Sequence, residues 1–243
     1  MRILVVSDVH ANLEALNAVI DHAGAFDRIW SLGDVVDYGP QPNECIARLR
    51  EYDLVTIAGN HDYAVVPKID LADFNPDAAR AVLWTRQQLT PEHTAWLAKL
   101  PERIRIDDHF TLVHGSPNHP IWEYVLNVHT ARENFPAFDT QVCLFGHSHI
   151  PILFRQSEIE QEIELERLPE DSPIPLTTNR WMINPGSVGQ PRDGDSRAAY
   201  AIVDTEEMTL THYRVEYDIS ATQKKMEDAN LSQRLIWRLS IGH

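Results

Sequence analysis

Cysteine is almost absent from this chain, which has only Cys45 and Cys143 among its 243 residues and no Cys-x-x-Cys spacing. This scarcity argues against a disulfide framework and against a structural zinc site built on thiolates. Cys143 lies in an apolar stretch and Cys45 in a stretch with helical character. We therefore expect both to be small residues of the hydrophobic core.

Long apolar runs are also missing at the start of the chain. The opening MRILVVSD has an apolar run of four residues before Ser7. Such a run is too short for the apolar part of a signal peptide or for a membrane span. We therefore expect a cytoplasmic protein without a membrane partner.

Basic residues are in deficit, with 21 lysines and arginines against 36 acids and a formal charge of -15. No cluster of basic residues stands out, so binding of long nucleic acids is not expected. A small phosphorylated substrate would need metal ions as its source of local positive charge. The apolar content of 43% and charged content of 23% are those of a soluble globular protein.

The first sixty residues alternate short apolar runs with segments of helical periodicity. The apolar runs are RILVVS, RIWSLG and LVTIAG, and the helical segments are NLEALNAVIDHAG and PNECIARLREY. Asn12 is a good N-cap for the first helix and Gly24 a good stop. This order predicts parallel strands joined by crossover helices, with a site beyond the carboxyl ends of the strands.

The remaining chain predicts further elements but no repeat or linker. Two capped helices form a lid-like insertion near 70–100, and a strand pair turns at Asp107 and Asp108. The acidic stretch near 155–178 predicts an exposed hairpin excursion, with the run from Glu158 to Glu166 on its solvated face. A closing antiparallel pair and two amphipathic helices end the chain. We therefore predict a single domain over residues 1–243.

Short polar strings follow five of the apolar strands. They are Asp8-Val-His10, Gly33-Asp34-Val-Val-Asp37, Gly59-Asn60-His61-Asp62, Val113-His114-Gly115 and Gly146-His147-Ser-His149. Each is weak alone, since a single Gly-Asn-His is also a common turn. In an extended strand, His147 and His149 would face one side about 7 Å apart. The recurrence of oxygen and imidazole groups behind every strand indicates a metal site.

The seven candidate ligands contain no thiolate, which suits Mn²⁺, Fe²⁺ or Zn²⁺. Seven are too many for one open catalytic ion but fit two ions that share a carboxylate. Two ions at about 3.5–4 Å clamp the attacking and leaving oxygens of an in-line displacement at phosphorus and activate a bridging water. On this interpretation His147 and His149 face different ions.

The five strings, in this order, resemble the calcineurin-like metallophosphoesterase superfamily, and most closely its small prokaryotic branch of phosphodiesterases and predicted phosphatases. The segment NPGSVGQPRDGD at 184–195 and the following AAYAIVD resemble the same branch, so the resemblance covers nearly the whole chain. It implies a four-layer α-β-β-α sandwich, in which two packed mixed β-sheets are flanked by helices. It also implies two divalent ions, Mn²⁺ or Fe²⁺ first, with Zn²⁺ or Ni²⁺ as alternatives.

The resemblance also implies a role for each residue of the strings. One ion would be bound by Asp8, His10 and His149, the other by Asn60, His114 and His147, with Asp34 between them. His61 would be the general acid towards the leaving oxygen, and Asp37 its partner. Asp62 would stabilise the ligands without binding metal itself. The seven histidines outside the strings, His212 among them, are predicted to be solvated.

Two departures from the Ser/Thr protein phosphatase branch bear on the substrate. Tyr38 and Ala58 stand where that branch has arginines, and the first of these clamps phosphate. The absence of the first arginine favours diesters or phosphoanhydrides over phosphoprotein monoesters. Arg192 is a candidate substitute for part of the clamp, although a surface arginine that fixes its own loop is the favoured alternative. Trp122 and Tyr124 are more consistent with packing than with a substrate pocket.

The predicted function is hydrolysis of a phosphodiester or nucleotide-type phosphoanhydride by a metal-bridging hydroxide. A phosphomonoesterase, including a protein phosphatase, is the alternative enzyme, because it would share every ligand. A non-catalytic interaction module of the same fold is a third hypothesis, which is disfavoured because all seven ligands are present. The sequence leaves the physiological substrate, the native metal and the oligomeric state open.

Overall fold

A computed structural model describes residues 1–157 and 159–243 of the chain, so Glu158 in the acidic run lies outside the described residues. The described strands are β1 (Arg2–Val6), β2 (Arg28–Ser31), β3 (Leu54–Thr56), β4 (Arg103–Ile106), β5 (Phe110–Val113), β6 (Val142–Leu144), β7 (Ile152–Gln156), β8 (Ile163–Glu166), β9 (Pro173–Pro175), β10 (Arg180–Asn184), β11 (Ala198–Asp204) and β12 (Thr209–Val215). The described α-helices are α1 (Leu13–Ala23), α2 (Pro42–Leu49), α3 (Asn60–Val65), α4 (Pro76–Gln88), α5 (Pro91–Leu97), α6 (Val128–Asn134), α7 (Ile219–Asp228) and α8 (Gln233–Ile241), with short 3₁₀ helices at Leu71–Asp73 and Phe135–Ala137.

These strands form two mixed six-stranded sheets. The first has the order β3-β2-β1-β11-β12-β9, and the second β4-β5-β6-β10-β7-β8. β1, β2 and β3 are parallel, as predicted for the first sixty residues, and β11 joins β1 antiparallel. In the second sheet β5, β6 and β10 are parallel neighbours. The parallel carboxyl ends of both sheets therefore open towards one edge.

Side chains alternate between the two faces of each strand, and this alternation produces four layers. In β1, Ile3 and Val5 pack into a cluster that contains residues of both sheets, so they lie between the sheets. Leu4 and Val6 point the other way and pack against apolar residues of α1 and α2. In β6, Cys143 faces the cluster with α6 instead of the other sheet. The predicted α-β-β-α sandwich is confirmed, and both cysteines are buried and free.

Local capping explains where the helices begin. The Asn12 side chain accepts from the amide of Ala15 at the start of α1, as predicted. In the insertion, Asn75 and Thr90 cap α4 and α5, each ahead of a proline in the first turn. The predicted helical insertion near 70–100 is thus confirmed.

The segment near 155–178 supplies edge strands to both sheets. β7 and β8 pair antiparallel in the second sheet, and β9 pairs with β12 in the first. Arg155 pairs with Glu164 and Glu166, so part of the acidic face is neutralised within the hairpin. None of the described helices combines the length and apolar character needed to cross a bilayer.

Candidate metal centre

Two groups of buried side chains meet at the carboxyl edge of the sheets. One contains Asp8, His10 and His149, and the other Asp34, His114 and His147; within each group the potential ligand atoms lie within 4.8 Å of one another. Asp8 and His10 follow β1, Asp34 follows β2, His114 follows β5, and the two remaining histidines follow β6. Each group therefore combines ligands from both sheets.

The backbone directs the two histidines after β6 into different groups. The strand ends at Leu144, and His147 and His149 have φ values of 66° and 61°. The expectation of an extended strand with both rings on one side is therefore wrong, because left-handed residues reorient the chain. Asp8 and Asp34 are also left-handed, with φ of 52° each. Such residues cost about 1–3 kcal/mol each and are typical of functional sites.

Asp62 ties the loops after β2 and β3 together. Its Oδ1 accepts from the amides of Val35 at 3.0 Å and Val36 at 3.3 Å, and its Oδ2 accepts from Gly59 at 3.0 Å. A Cβ at Gly59 would collide with the Asp34 carboxylate, so only glycine fits there. Burial, reinforced by the charge of Asp34, raises the pKa of Asp62 to about 7. Asp62 thus supports the ligands through the backbone.

The loop after β10 holds the site from the opposite side. Asn184 donates to the carbonyl of Gly146 at 2.6 Å and to the Ser148 hydroxyl at 3.0 Å. The Gly189 amide donates to the carbonyl of Asp8 at 3.0 Å, and the carbonyl of Gln190 lies 2.6 Å from Nδ1 of His149. Sequence reasoning missed Asn184 and Gln190 as positioning residues, although both lie in the segment 184–195 that carries the family resemblance.

Hydrogen bonds to carbonyl oxygens define which ring nitrogen is free. Nδ1 of His10 faces the carbonyl of Val36 at 3.3 Å, and Nδ1 of His114 faces that of Leu32 at 2.8 Å. A carbonyl oxygen only accepts, so Nδ1 carries the proton in these rings and in His149, and Nε2 keeps the lone pair of the neutral form. In His147 it is Nε2 that faces a carbonyl, at 3.1 Å, which leaves Nδ1 free.

The free Nε2 lone pairs of His10 and His149 converge on each other. Nε2 of His10 and Nε2 of His149 lie 3.2 Å apart, and the latter lies 3.2 Å from Oδ1 of Asp8. Asp8 Oδ1 and Asp34 Oδ2 are buried and have no hydrogen-bond partner. Buried acceptors that face one another are costly unless a cation lies among them. The donor set therefore fits divalent metal ions.

Asp34 lies between the two groups. Its Oδ2 is 3.7 Å from Nε2 of His10 and 3.2 Å from Nε2 of His114. The side-chain amide oxygen of Asn60 lies 3.1 Å from Nε2 of His114, so Asn60 belongs to the second group. The structure brings all seven predicted ligands together.

Burial and charge set the protonation of the ligands. Burial lowers the pKa of His10, His147 and His149 well below the ordinary histidine value, which keeps them neutral and able to bind metal. Burial, with the charge of Asp34, raises the pKa of Asp8 to about 6. Asp34 resists the same burial, because the neighbouring His114 and His61 hold its pKa far below the usual range.

His61 and Asp37 form a buried pair beside the two groups. Nδ1 of His61 lies 2.6 Å from Oδ2 of Asp37, and Oδ1 of Asp37 accepts from the Thr85 hydroxyl at 3.1 Å. Burial opposes protonation of His61, but the charge of Asp34 and the bond to Asp37 raise its pKa above the ordinary value. Thr85 belongs to α4, so the helical insertion reaches the pair, a contact that sequence reasoning missed.

Aromatic rings surround the two groups. The Tyr38 ring lies 4.6 Å from that of His10 and 4.4 Å from that of His61, measured between centroids. Tyr124 stacks on His147 at 4.0 Å. Trp122 and Tyr124 are 37% and 48% exposed, so neither belongs to the core, and Trp122 contacts the Phe74 ring of the insertion at 5.1 Å. They form part of an open rim.

Comparison with known proteins identifies the family. The family model for the calcineurin-like phosphoesterase superfamily domain matches residues 1–208. The chain belongs to the calcineurin-like phosphoesterase superfamily. The resemblance inferred from the polar strings is thereby confirmed.

Some relatives match this chain over its full length and others over part of it. It is 47% identical to a metallophosphoesterase from Sphaerobacter thermophilus, with a TM-score of 0.91 and coverage of 100% of this chain and 99% of that one. It is 39% identical to an uncharacterized protein of Methanocaldococcus jannaschii, over 99% and 98% of the two chains. It is 31% identical to the symmetrical bis(5'-nucleosyl)-tetraphosphatase of Cellvibrio japonicus, but over only 50% of this chain and 46% of that one.

Proposed function

We propose that this protein is a dinuclear metal-dependent phosphoesterase that hydrolyses a phosphodiester or a nucleotide-type phosphoanhydride. The main support is the position of Asp34 Oδ2, which lies within 3.7 Å of an imidazole nitrogen in each of the two His/Asp groups. Asp8, His10 and His149 would hold one ion, and Asn60, His114 and His147 the other, with Asp34 shared. When bound, the ions supply positive charge at the phosphoryl group and acidify water.

The ligand types narrow the choice of native metal but do not select one ion. Carboxylate, amide and imidazole groups suit Mn²⁺ or Fe²⁺, and they also accept Zn²⁺ or Ni²⁺. The His/Asp groups are shielded from solvent, which strengthens their electrostatic effect on a bound phosphoryl group. We take Mn²⁺ as the first ion to test.

His61 is the proposed general acid. Its Nδ1 is engaged by Asp37, so Nε2 is the nitrogen that can donate to the leaving oxygen. The bond from Thr85 holds Asp37 and, through it, the orientation of the ring. The raised pKa of His61 favours the protonated form that this role requires.

The substrate proposal rests on the side chains at the entrance of the site. Tyr38 has no positively charged form, so it cannot clamp a phosphate by charge as an arginine would; burial raises its pKa far above the ordinary tyrosine value, which keeps its hydroxyl protonated. This favours a diester, or a phosphoanhydride that brings further contacts, and Arg192 and Tyr38 are the proposed substrate-binding residues. The partial similarity to a bis(5'-nucleosyl)-tetraphosphatase supports a nucleotide-type phosphoanhydride. A phosphomonoesterase is the second candidate, because it needs the same metal ligands.

The test compares bis(p-nitrophenyl) phosphate with p-nitrophenyl phosphate, using chelator-treated protein with Mn²⁺ added back. We expect metal-dependent hydrolysis with the diester preferred. A preference for the monoester would favour the phosphatase instead. Failure on both esters without any bound metal would contradict the proposal and favour an interaction module.

A His61→Asn variant separates chemistry from metal binding. Loss of a general acid should lower turnover by about 10²–10⁴-fold while both ions stay bound. His129→Asn, on the exposed side of α6, is the matched control and should leave both readouts unchanged. If metal content fell together with turnover, His61 would be a ligand. The single-domain organisation and the cytoplasmic location stay predictions.

A further inference from the structure

The segment after β5 leads from a proposed metal ligand to an exposed tryptophan through a tightly held turn. The Gly115 amide donates to the carbonyl of Pro120 at 2.6 Å. The Ser116 hydroxyl donates to the Glu123 carboxylate at 2.6 Å. These two contacts fix the chain on both sides of Trp122, so the position of this residue is set before any ligand binds. Such preorganisation lowers the entropic cost of binding.

Trp122 contacts the metal centre through its backbone and through its ring. Its carbonyl oxygen lies 3.1 Å from Nε2 of His147, a proposed ligand. Its ring centroid lies 5.1 Å from that of Phe74, and the Phe74 centroid lies 5.1 Å from that of His61, the proposed general acid. A row of rings thus leads outwards from the group that would protonate the leaving oxygen.

The Trp122 ring has open space beside it. It is 37% exposed, and its ring contacts with Phe74 and His147 are both edge-on, with interplanar angles of 64° and 78°. Among the described residues, therefore, neither neighbouring ring is stacked on Trp122. The ring also borders a cavity of about 300 Å³, a volume at the lower end of small-molecule sites. The other walls of this cavity include Glu102, Asn118, His119, Ile121 and Glu123.

We propose that Trp122 and Phe74 form a stacking site for the nucleobase of a nucleotide, on the leaving-group side of the substrate. The inference rests on the proposed function and narrows its substrate class to nucleotides. A planar base stacks favourably on an aromatic side chain, and the polar walls of the cavity suit its hydrogen-bonding edge. Phe74 directly precedes α4, so the helical insertion would contribute to substrate choice as well as to the orientation of His61.

Binding of two phosphonates to the Mn²⁺-loaded protein tests the stacking site. The methylene-bridged analogue of adenosine diphosphate carries a base, whereas methylenediphosphonate has the same pair of phosphonate groups without adenosine. The ratio of their Kd values in calorimetry therefore measures what the adenosine adds. The wild type should prefer the nucleotide analogue by about tenfold or more, as expected for stacking of one base on an aromatic side chain.

Variants at Trp122 assign this preference to the ring. Trp122→Ala should abolish most of it, and Trp122→Phe, which keeps a smaller ring, should retain part of it. Trp122→Leu keeps apolar bulk against Phe74 without a ring and should behave like Trp122→Ala. Trp237→Ala is the matched control, because Trp237 is 62% exposed on α8, and it should retain the full preference. The Kd of methylenediphosphonate should be the same in all four variants.

The outcomes separate the stacking site from the proposed function. Retention of the full preference by Trp122→Ala would overturn the inference, and a lower Tm in that variant would then indicate a packing role. A wild type that hydrolyses bis(p-nitrophenyl) phosphate but binds both phosphonates equally would overturn it too and leave the proposed function intact. A wild type that binds two ions and hydrolyses neither nitrophenyl ester would contradict the proposed function, while the Kd ratios would still decide on the stacking site. If Trp122→Ala fails to fold, Trp122→Leu gives the same test.

Discussion

The Thr85 hydroxyl is the point where the helical insertion contacts the proposed catalytic pair. It is fully buried and donates at 3.1 Å to Asp37, whose other oxygen holds His61. Thr85→Val keeps the shape of the side chain and removes this donor. A hydrogen bond to a charged group contributes about 1.5–3 kcal/mol. For a chain of this size we expect Tm to fall by roughly 3–12 °C.

Activity should fall for a different reason. Without Thr85, His61 is the one side-chain partner left to the Asp37 carboxylate among the described residues, so the imidazole loses part of its fixed orientation. Removal of such a supporting group commonly lowers activity by about 10–100-fold. The Mn²⁺ content should not change, because Thr85 contacts none of the seven proposed ligands. Thermal unfolding, metal analysis and hydrolysis of bis(p-nitrophenyl) phosphate measure the three quantities.

Thr94→Val is the matched control for this substitution. Thr94 lies in α5 of the same insertion, and its hydroxyl donates only to the carbonyl of Thr90 in its own helix. We expect little change in Tm and none in turnover. An unchanged Tm in Thr85→Val would refute the reasoning about stability. Loss of Mn²⁺ in parallel with turnover would show that Thr85 acts on the metal ligands instead.

Two further predictions concern the metal centre. Gly59→Ala forces a methyl group against the Asp34 carboxylate and should cost about 1–3 kcal/mol of stability and weaken metal binding; Gly24→Ala, in open space, should leave metal content unchanged in the same analysis. Mn²⁺ at about 100 times its Kd should stabilise the chelator-treated protein by about 2.7 kcal/mol per site. Asp34→Asn should abolish this gain for both ions, and two retained, ordered ions would contradict the sharing of Asp34.

The ligands were predictable because strand ends and ligand types are both visible in the sequence. Each polar string directly follows an apolar strand, and parallel strands bring their carboxyl ends to one edge. The directions of the side chains were not predictable. His147 and His149 were expected on one side of an extended strand, whereas their positive φ values separate them. Gly146 allows the close approach of Ser7 to this loop, because a Cβ there would collide with the Ser7 hydroxyl, a contact that only the folded chain creates.

The supporting residues could not be identified from local patterns. Thr85 lies in an ordinary amphipathic helix, and nothing in the spacing of its neighbours marks it. Its role arises from docking of α4 onto a loop that is distant in sequence. His212 was expected to be solvated, which is wrong, and in this case the sequence did contain a sign of burial. It lies two residues after the buried Leu210 in β12, on the same face, and it is 2% exposed.

The distribution of charge links the fold to the kind of substrate proposed. A formal charge of -15 repels long polyanions over most of the surface. At the metal centre, two divalent ions would supply positive charge within a small region. A short phosphoanhydride can place all its charge within this small region, whereas an extended nucleic acid cannot. The acidic surface therefore selects against long nucleic acids.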